Sequence, residues 1–336
     1  MNEDRYHGKI SEISLDSNEN LVLSEEYYNE LKNEVEYDLR GYPSSTAKEL
    51  KNSLAEFYDL SSEQVVVGNG SDAILDTIVK SFVSKDGIFG YFSPSYDVYP
   101  FISSRNQKRC LEIPLNSDFS CPSITPLIDN LEMILLNSPN NPTSLIIPEE
   151  KILSYLKEGI LVVIDEAYVE YSSQSLIPLL NQFENLILIR TFSKAWGLAG
   201  IRVGYALTSA EKGLELLENM LPYNVNSFSM NMAMASIEKK EVVEKVVDIT
   251  IRERGNLYDE LEDLGFNPLP SDTNFLLCKT PAEIEAKELL DKLLRRGIKI
   301  KTFENDRLKD YIRITVGDES INQVVLDNIK QAIEDM

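Results

Sequence analysis

The amino-acid sequence predicts an α/β protein, a large unit on a mainly parallel sheet followed by a smaller α+β unit. Between residues 65 and 207, short runs that are apolar throughout alternate with stretches of helical period. Runs of that kind mark strands buried on both faces, as in parallel sheets. Past Asn231 the pattern changes to a long helical stretch and then strands and helices in a different order, which suits a mostly antiparallel sheet. With 336 residues and 43% hydrophobic content, the chain has enough apolar surface for one large core and a smaller one.

In order, "QVVVG" is a strand leading into the helix "SDAILDTIVKSFV", where Ile74, Leu75, Ile78, Val79, Phe82 and Val83 recur at helical spacing. The strands "GIFGYF", "RCLEI" and "MILLN" follow, then the helix "PEEKILSYLKEG" and the strands "ILVVIDE", "NLILIR" and "RVGYALT". A helical stretch from about Asn231 to Leu264 precedes "NFLLCK", a helix, the strand "IKIKTF", the strand "YIRITVG" and a last helix. The first 40 or so residues have no place in the large sheet and are expected to pack on the smaller unit. The expected boundaries are 45–222 for the large unit, and 1–44 with 223–336 for the small one.

Composition narrows the function. Lys and Arg total 33 against 55 Asp and Glu, a net charge of −22. That field repels phosphate backbones and anionic headgroups, so nucleic acid and membrane are excluded as partners, and any anionic ligand needs a local positive pocket. No apolar run reaches transmembrane length, and "MNEDRYHGKISEIS" lacks the apolar core of a signal peptide, so a cytoplasmic protein is expected. Cys110, Cys121 and Cys278 are widely spaced and odd in number, which fits neither a disulfide framework nor a metal site. The single histidine, His7, leaves no base for a hydrolytic triad and no imidazole set for zinc. Proton transfers in an enzyme of this composition fall to lysine, carboxylate or tyrosine.

In parallel sheets ligands bind beyond the carboxyl ends of the strands. After "QVVV" comes "GNGSD", Gly68 to Asp72. Its glycines permit a tight turn, and free N–H groups at a helix start bind phosphate. The third glycine of a dinucleotide fingerprint is missing, and an ordinary strand-to-helix turn is the alternative. "MILLNSP" leads to "NNPTS", and "ILVVI" leads to "DEAY". Asp165, ending a buried strand, is desolvated unless a cation meets it, or else it caps the following turn. "NLILIR" runs into "TFSKAWGLAGIRVGY", which carries Lys194 and Arg202. A lysine for a Schiff base, an acid for a pyridinium nitrogen and a phosphate pocket together match pyridoxal 5'-phosphate.

The motifs "DSNEN", "GYP", "GNGSD", "SPSYDVY", "SPNNPT", "IDEAYVEY", "RTFSKAWGLAGIRVGY", "NF" and "YIRITVG" span residues 16–317. With them the chain resembles the aspartate aminotransferase superfamily, pyridoxal-phosphate fold type I, and within it most closely the histidinol-phosphate aminotransferase family. The resemblance implies that Lys194 carries the cofactor and shuttles the proton, and that Asp165 pairs with the ring nitrogen. By the same carry-over Tyr168 and Asn141 bond the ring oxygen and Tyr96 stacks on the ring. The cofactor phosphate would be held by Gly70, Ser71 and Asp72 amides and by Thr191, Ser193 and Arg202. Tyr42 would reach that phosphate from a neighbouring subunit, implying a homodimer. Asn20, Tyr42, Asn141, Lys301 and Arg313 are expected at the substrate, with Arg313 on its acidic group. No metal is implied.

Several positions depart from the family pattern. Leu21 stands where proline usually follows "NEN", Ser144 replaces the glycine of "NPTG", and Gly41 displaces Arg40 from "RYP". Lys301 in "GIKIKTF" occupies the place of an arginine that grips the substrate phosphate in the family. A lysine supplies a point charge without the bidentate fork, or is a solvated edge-strand residue. The expected reaction moves an amino group between a small phosphorylated amine, best L-histidinol phosphate, and 2-oxoglutarate or glutamate. The alternative is a related enzyme on another small phosphorylated substrate, an aminotransferase or a decarboxylase of the serine-phosphate or threonine-phosphate kind. A non-catalytic scaffold would show erosion at Lys194, Asp165 or Arg202, and all three are present.

Overall fold

The computed structural model describes residues 13–36 and 38–336, so His7 lies outside the described residues. The chain begins with β1 (Ile13–Ser14), α1 (Glu25–Glu34) and α2 (Lys48–Tyr58). The larger sheet is then laid down by β2 (Val65–Gly68), α3 (Ser71–Phe82), β3 (Ile88–Ser93), α4 (Val98–Arg105), β4 (Arg109–Pro114) and β5 (Met133–Asn137). It is completed by α5 (Glu149–Lys157), β6 (Leu161–Asp165), β7 (Leu186–Thr191) and β8 (Gly204–Thr208). Its seven strands lie in the order β2-β8-β7-β6-β5-β3-β4. The strands from β4 across to β7 run parallel, and β8 is antiparallel to both of its neighbours.

Every residue of β5, β6 and β7 is buried, which is why these runs lack polar alternation. Each fully buried Val, Ile or Leu there contributes roughly 1.5–3 kcal/mol of transfer free energy. The connection from β7 to β8, residues 192–203, holds a short 3-10 turn and no crossover α-helix. The chain therefore turns straight back, and Lys194 and Arg202 sit in the loop at the carboxyl end of β7.

The rest comprises α6 (Ala210–Asn219), α7 (Ser227–Glu238), α8 (Lys240–Asp263), β9 (Asn267–Pro268), β10 (Phe275–Lys279), α9 (Ala286–Arg295), β11 (Ile298–Lys299), β12 (Lys301–Thr302), β13 (Tyr311–Thr315) and α10 (Glu319–Glu334). The smaller sheet is antiparallel, in the order β12-β13-β10-β9. Among the described residues no helix is long and apolar enough to cross a membrane.

Two expectations are corrected here. The stretch 231–264 is two helices, α7 and α8, separated at Lys239, whose amine pairs with Glu30 at 3.2 Å and Glu34 at 2.9 Å on α1. "IKIKTF" is not one strand: β11 pairs in parallel with β1, and β12 pairs with β13. Buried Ile300 between them changes the chain's partner. The first residues divide between both parts. Leu15 enters the small apolar cluster, while Leu23, Tyr27 and Leu31 enter the cluster that holds the large-sheet residues Leu136, Ile164 and Leu188.

Behind the site a buried pair joins two strand ends. Arg190 Nε donates to Glu166 Oε2 at 2.8 Å, with the side chains 7% and 1% exposed. Side chains alternate along a strand, so Arg190 and Glu166 face away from the side to which Thr191 and Asp165 point.

Candidate active site

A cavity of about 720 Å³ opens at the carboxyl ends of β3 and β5–β7, between the larger sheet and β12–β13. Its wall carries five cations, Lys194, Arg202, Lys301, Arg307 and Arg313, interspersed with carboxylates such as Asp72 and Asp165. Ser71, Asp72, Tyr96, Asn141, Asp165, Tyr168, Thr191 and Ser193 line the same space.

At one end α3 begins directly after Gly70, which takes φ +81° and caps no N–H with a side chain. The first-turn amides are thus left for a ligand. A Cβ on Gly70 would lie 2.6 Å from Arg202 Nη2, so the absence of a side chain lets the guanidinium approach the helix start. Arg202 Nη2 meets Asp72 Oδ2 at 3.3 Å. Gly204 allows a second close approach, since a Cβ there would be 2.3 Å from the Ser71 amide nitrogen. Thr191 Oγ1 donates to Ser193 Oγ at 3.0 Å and accepts from the Ser193 amide at 3.1 Å, completing a small hydroxyl-lined cradle.

In the middle stands Asp165, 3% exposed. The Tyr99 hydroxyl donates to its Oδ2 at 3.0 Å and the Ala167 amide to its Oδ1 at 3.2 Å. Burial pushes its pKa up to about 7, against the opposing effect of the Tyr99 hydrogen bond. A carboxyl held at that balance is one that a cationic ring nitrogen would return to the charged form. Tyr96 donates to Asp72 Oδ1 at 3.3 Å, and burial together with the Asp72 charge raises its hydroxyl pKa.

The roof comes from the N-terminal segment. Lys194 Nζ donates to the Ser17 carbonyl at 2.9 Å and lies 5.6 Å from the Tyr168 ring centroid. Asn18 Nδ2 donates to the Tyr168 hydroxyl at 3.0 Å. β13 holds this roof: Thr315 Oγ1 donates to the Leu15 carbonyl at 2.7 Å, and Arg313 donates to the Asp16 carbonyl and to Asn141 Oδ1. Asn141 is fixed in turn by Asn137, whose Oδ1 accepts the Asn141 amide at 2.7 Å. Lys301 is the direct cross-strand partner of Arg313, so the two side chains share one face of the small sheet.

The cavity does not include every residue expected of it. Asn20 is spent on backbone: its Oδ1 accepts from the Val22 and Leu23 amides of its own loop, and its Nδ2 donates to the carbonyl of Ala195, beside Lys194, at 2.9 Å. Tyr42 is 88% exposed, its ring 5.2 Å from that of Tyr223. Ser144, at the usual glycine position, takes φ +62°, a conformation costing about 1–2 kcal/mol for a residue with a Cβ. Its hydroxyl donates to the Pro270 carbonyl at 3.0 Å, tying the Asn141 loop to the smaller part. Sequence reasoning missed Tyr99, Asn137, Asn18 and Arg307. Tyr99, Asn18 and Asn137 lie in quoted stretches, "SPSYDVY", "DSNEN" and "MILLN", whereas Arg307 lies in none.

The phosphate cradle, the buried acid and the lysine amine surround one cavity in the arrangement that pyridoxal 5'-phosphate requires, so the residues present fit that group. The family described as aminotransferase class I and II matches residues 10–329. The histidinol-phosphate aminotransferase of Pyrococcus furiosus is 36% identical, over 96% of this chain and 93% of its own length. That of Acinetobacter baylyi is 38% identical, over 87% and 82% respectively. Among solved structures, the histidinol-phosphate aminotransferase from Clostridium acetobutylicum superposes with a TM-score of 0.88 at 24% identity, covering 96% of this chain and all of that one (100%). This last is a likeness of fold. The chain belongs to the class I and II aminotransferases, and within them to the histidinol-phosphate aminotransferase family.

Proposed function

We propose that this protein is a pyridoxal 5'-phosphate-dependent aminotransferase that moves an amino group between a small phosphorylated amine of the L-histidinol phosphate type and 2-oxoglutarate or glutamate. The observation that carries this reading is the placing of Lys194 and Asp165 in one cavity with the neighbouring cations Lys301 and Arg313. The cofactor, when bound, supplies an electron-accepting ring that lets the amine-bearing carbon lose a proton. Lys194 Nζ would take that proton and deliver it to the carbon on the cofactor side, so that the amino group is left with the cofactor. Asp165 would meet the charge of the ring nitrogen, and Asn141 and Tyr168 would orient the ring oxygen. The amides of α3, the Thr191 and Ser193 hydroxyls and Arg202 retain the phosphate. Arg313 meets the acidic group of the substrate with its planar fork, and Lys301 adds a point charge beside it.

A single-turnover spectrum tests the substrate. The cofactor-loaded protein is mixed separately with L-histidinol phosphate, glutamate and serine phosphate, with no keto acid present. The expected result is rapid loss of the bound cofactor's near-visible absorbance with the first two and no carbon dioxide from any. Carbon dioxide from serine phosphate, with no response to glutamate, would replace the reading by decarboxylation.

We also propose a homodimer across the face that carries Tyr42 and Tyr223, 88% and 49% exposed with their rings 5.2 Å apart. Tyr42 would there reach the phosphate cradle of the neighbouring subunit. Exposed apolar residues gathered on one face are the usual sign of such an interface. Sedimentation at low micromolar concentration should give twice the chain mass of 38.1 kDa, and Tyr42→Asp should halve it. A wild-type monomer under those conditions would refute the proposal.

A further inference from the structure

The β12–β13 connection forms one wall of the cavity. Phe303, Asn305, Asp306, Arg307 and Leu308 all line it. The loop is turned by Asn305, whose side chain accepts from the Leu308 amide at 3.0 Å, and it re-enters β13 through the Tyr311 amide, which donates to the Leu308 carbonyl at 2.9 Å. From this turn Arg307 reaches across to the larger sheet. Its Nη1 donates to the carbonyl of Ser93, the last residue of β3, at 3.2 Å, and its Nη2 donates to the carbonyl of Asn116, just after β4. Its guanidinium carbon lies 4.8 Å from the centroid of the Phe119 ring, which meets Tyr311 edge-on at 5.8 Å.

These contacts are specific to a guanidinium. Two donors in a fixed plane reach carbonyls at two separate strand ends while the flat face rests on an aromatic ring. The acceptors are themselves held: the Ser93 carbonyl also takes the Leu115 amide at 2.8 Å, and the Asn116 turn closes through the Phe119 amide at 2.9 Å. We infer that Arg307 is a positioning residue of the substrate cavity, clasping the 303–308 loop to the rim of the larger sheet so that the wall beside Lys301 is in place before substrate arrives. A wall held in advance spares the substrate the entropy of ordering it.

The kinetic part of this inference rests on the proposed aminotransferase reading, whereas its structural part does not. The experiment therefore has two readouts, on the cofactor-loaded wild type, Arg307→Ala and Arg307→Lys. Amide hydrogen exchange, read without substrate, should accelerate about tenfold or more in 303–308 and 116–120 for both variants, while β5–β7 stay unchanged and show the fold intact. KM for glutamate should rise about tenfold with kcat within about twofold, the pattern of lost binding common to ground and transition states. Arg307→Lys should recover little, because one ammonium cannot hold both carbonyls. Unchanged exchange overturns the clasp whatever the substrate proves to be. Faster exchange with an unaltered KM overturns the positioning role. A KM restored by Arg307→Lys makes Arg307 a direct anion ligand instead.

Discussion

Lys194→Ala is expected to slow amino transfer by roughly 10⁴-fold, the upper end of what a single positioned proton-transferring group supplies. The amine has no substitute in reach of the same role. The cavity's guanidiniums do not deprotonate, Lys301 stands on β12 opposite Arg313 at the substrate end, and the Asp165 carboxyl sits among Tyr99 and the Ala167 amide rather than facing the lysine's partner, Ser17. The variant should keep the cofactor through the α3 amides, the Thr191 and Ser193 hydroxyls and Arg202, because none of these depends on Nζ. Single-turnover absorbance with glutamate measures the loss, and dialysis followed by cofactor assay measures retention. Turnover at the wild-type rate would remove Lys194 from the chemistry altogether.

The second large effect falls on stability. Arg190→Met leaves Glu166, 1% exposed, without the cation that opposes its desolvation. Breaking a buried pair from one side costs about 3–5 kcal/mol, a sizeable share of the roughly 5–15 kcal/mol that holds a typical domain folded. Replacing both partners, as in Arg190→Met with Glu166→Leu, should recover the part of that loss due to Glu166, while buried Glu170, which Arg190 also favours in its charged form, loses that cation and keeps its Trp196 hydrogen bond. Urea titration of the three proteins checks the ordering. A midpoint for Arg190→Met equal to wild type would mean that water reaches Glu166 in solution.

The sequence was most legible where chemistry and burial coincide. β5, β6 and β7 announce themselves as apolar runs because both faces are covered, and the polar residues that end them, Asn137, Asp165 and Thr191, stand out against that background. Arg190 and Glu166 carry the same signal, a charge at the end of a buried strand, yet nothing in a linear reading says that adjacent strand ends pair them. Contacts between distant segments were the least visible. The Ser17 carbonyl that receives Lys194 is backbone and leaves no mark on composition, and Arg307 lies in a loop whose partners are Ser93, the last residue of β3, and Asn116, in the turn after β4. The division of "IKIKTF" was hidden for a related reason. Its apolar and polar residues alternate without interruption through Ile300, so the change of partner from β1 to β13 has no glycine or proline to announce it.

The roof over Lys194 joins residues that lie almost at opposite ends of the chain, with Leu15 and Asn18 bonded to Thr315 across sequence separations of 300 and 297. On a ribosome adding about 5–20 residues per second, the lysine leaves the peptidyl-transferase centre roughly 6–24 s before the strand that carries Arg313 is made. Throughout that interval the growing polypeptide has its reactive amine, its phosphate cradle and the Tyr168 and Ala195 partners of its first residues, but not the Arg313 and Thr315 bonds that hold those residues to β13. Enzymatic competence therefore arrives late in translation, and a chain cut short before β13 would keep the amine while losing the anchor of its cover.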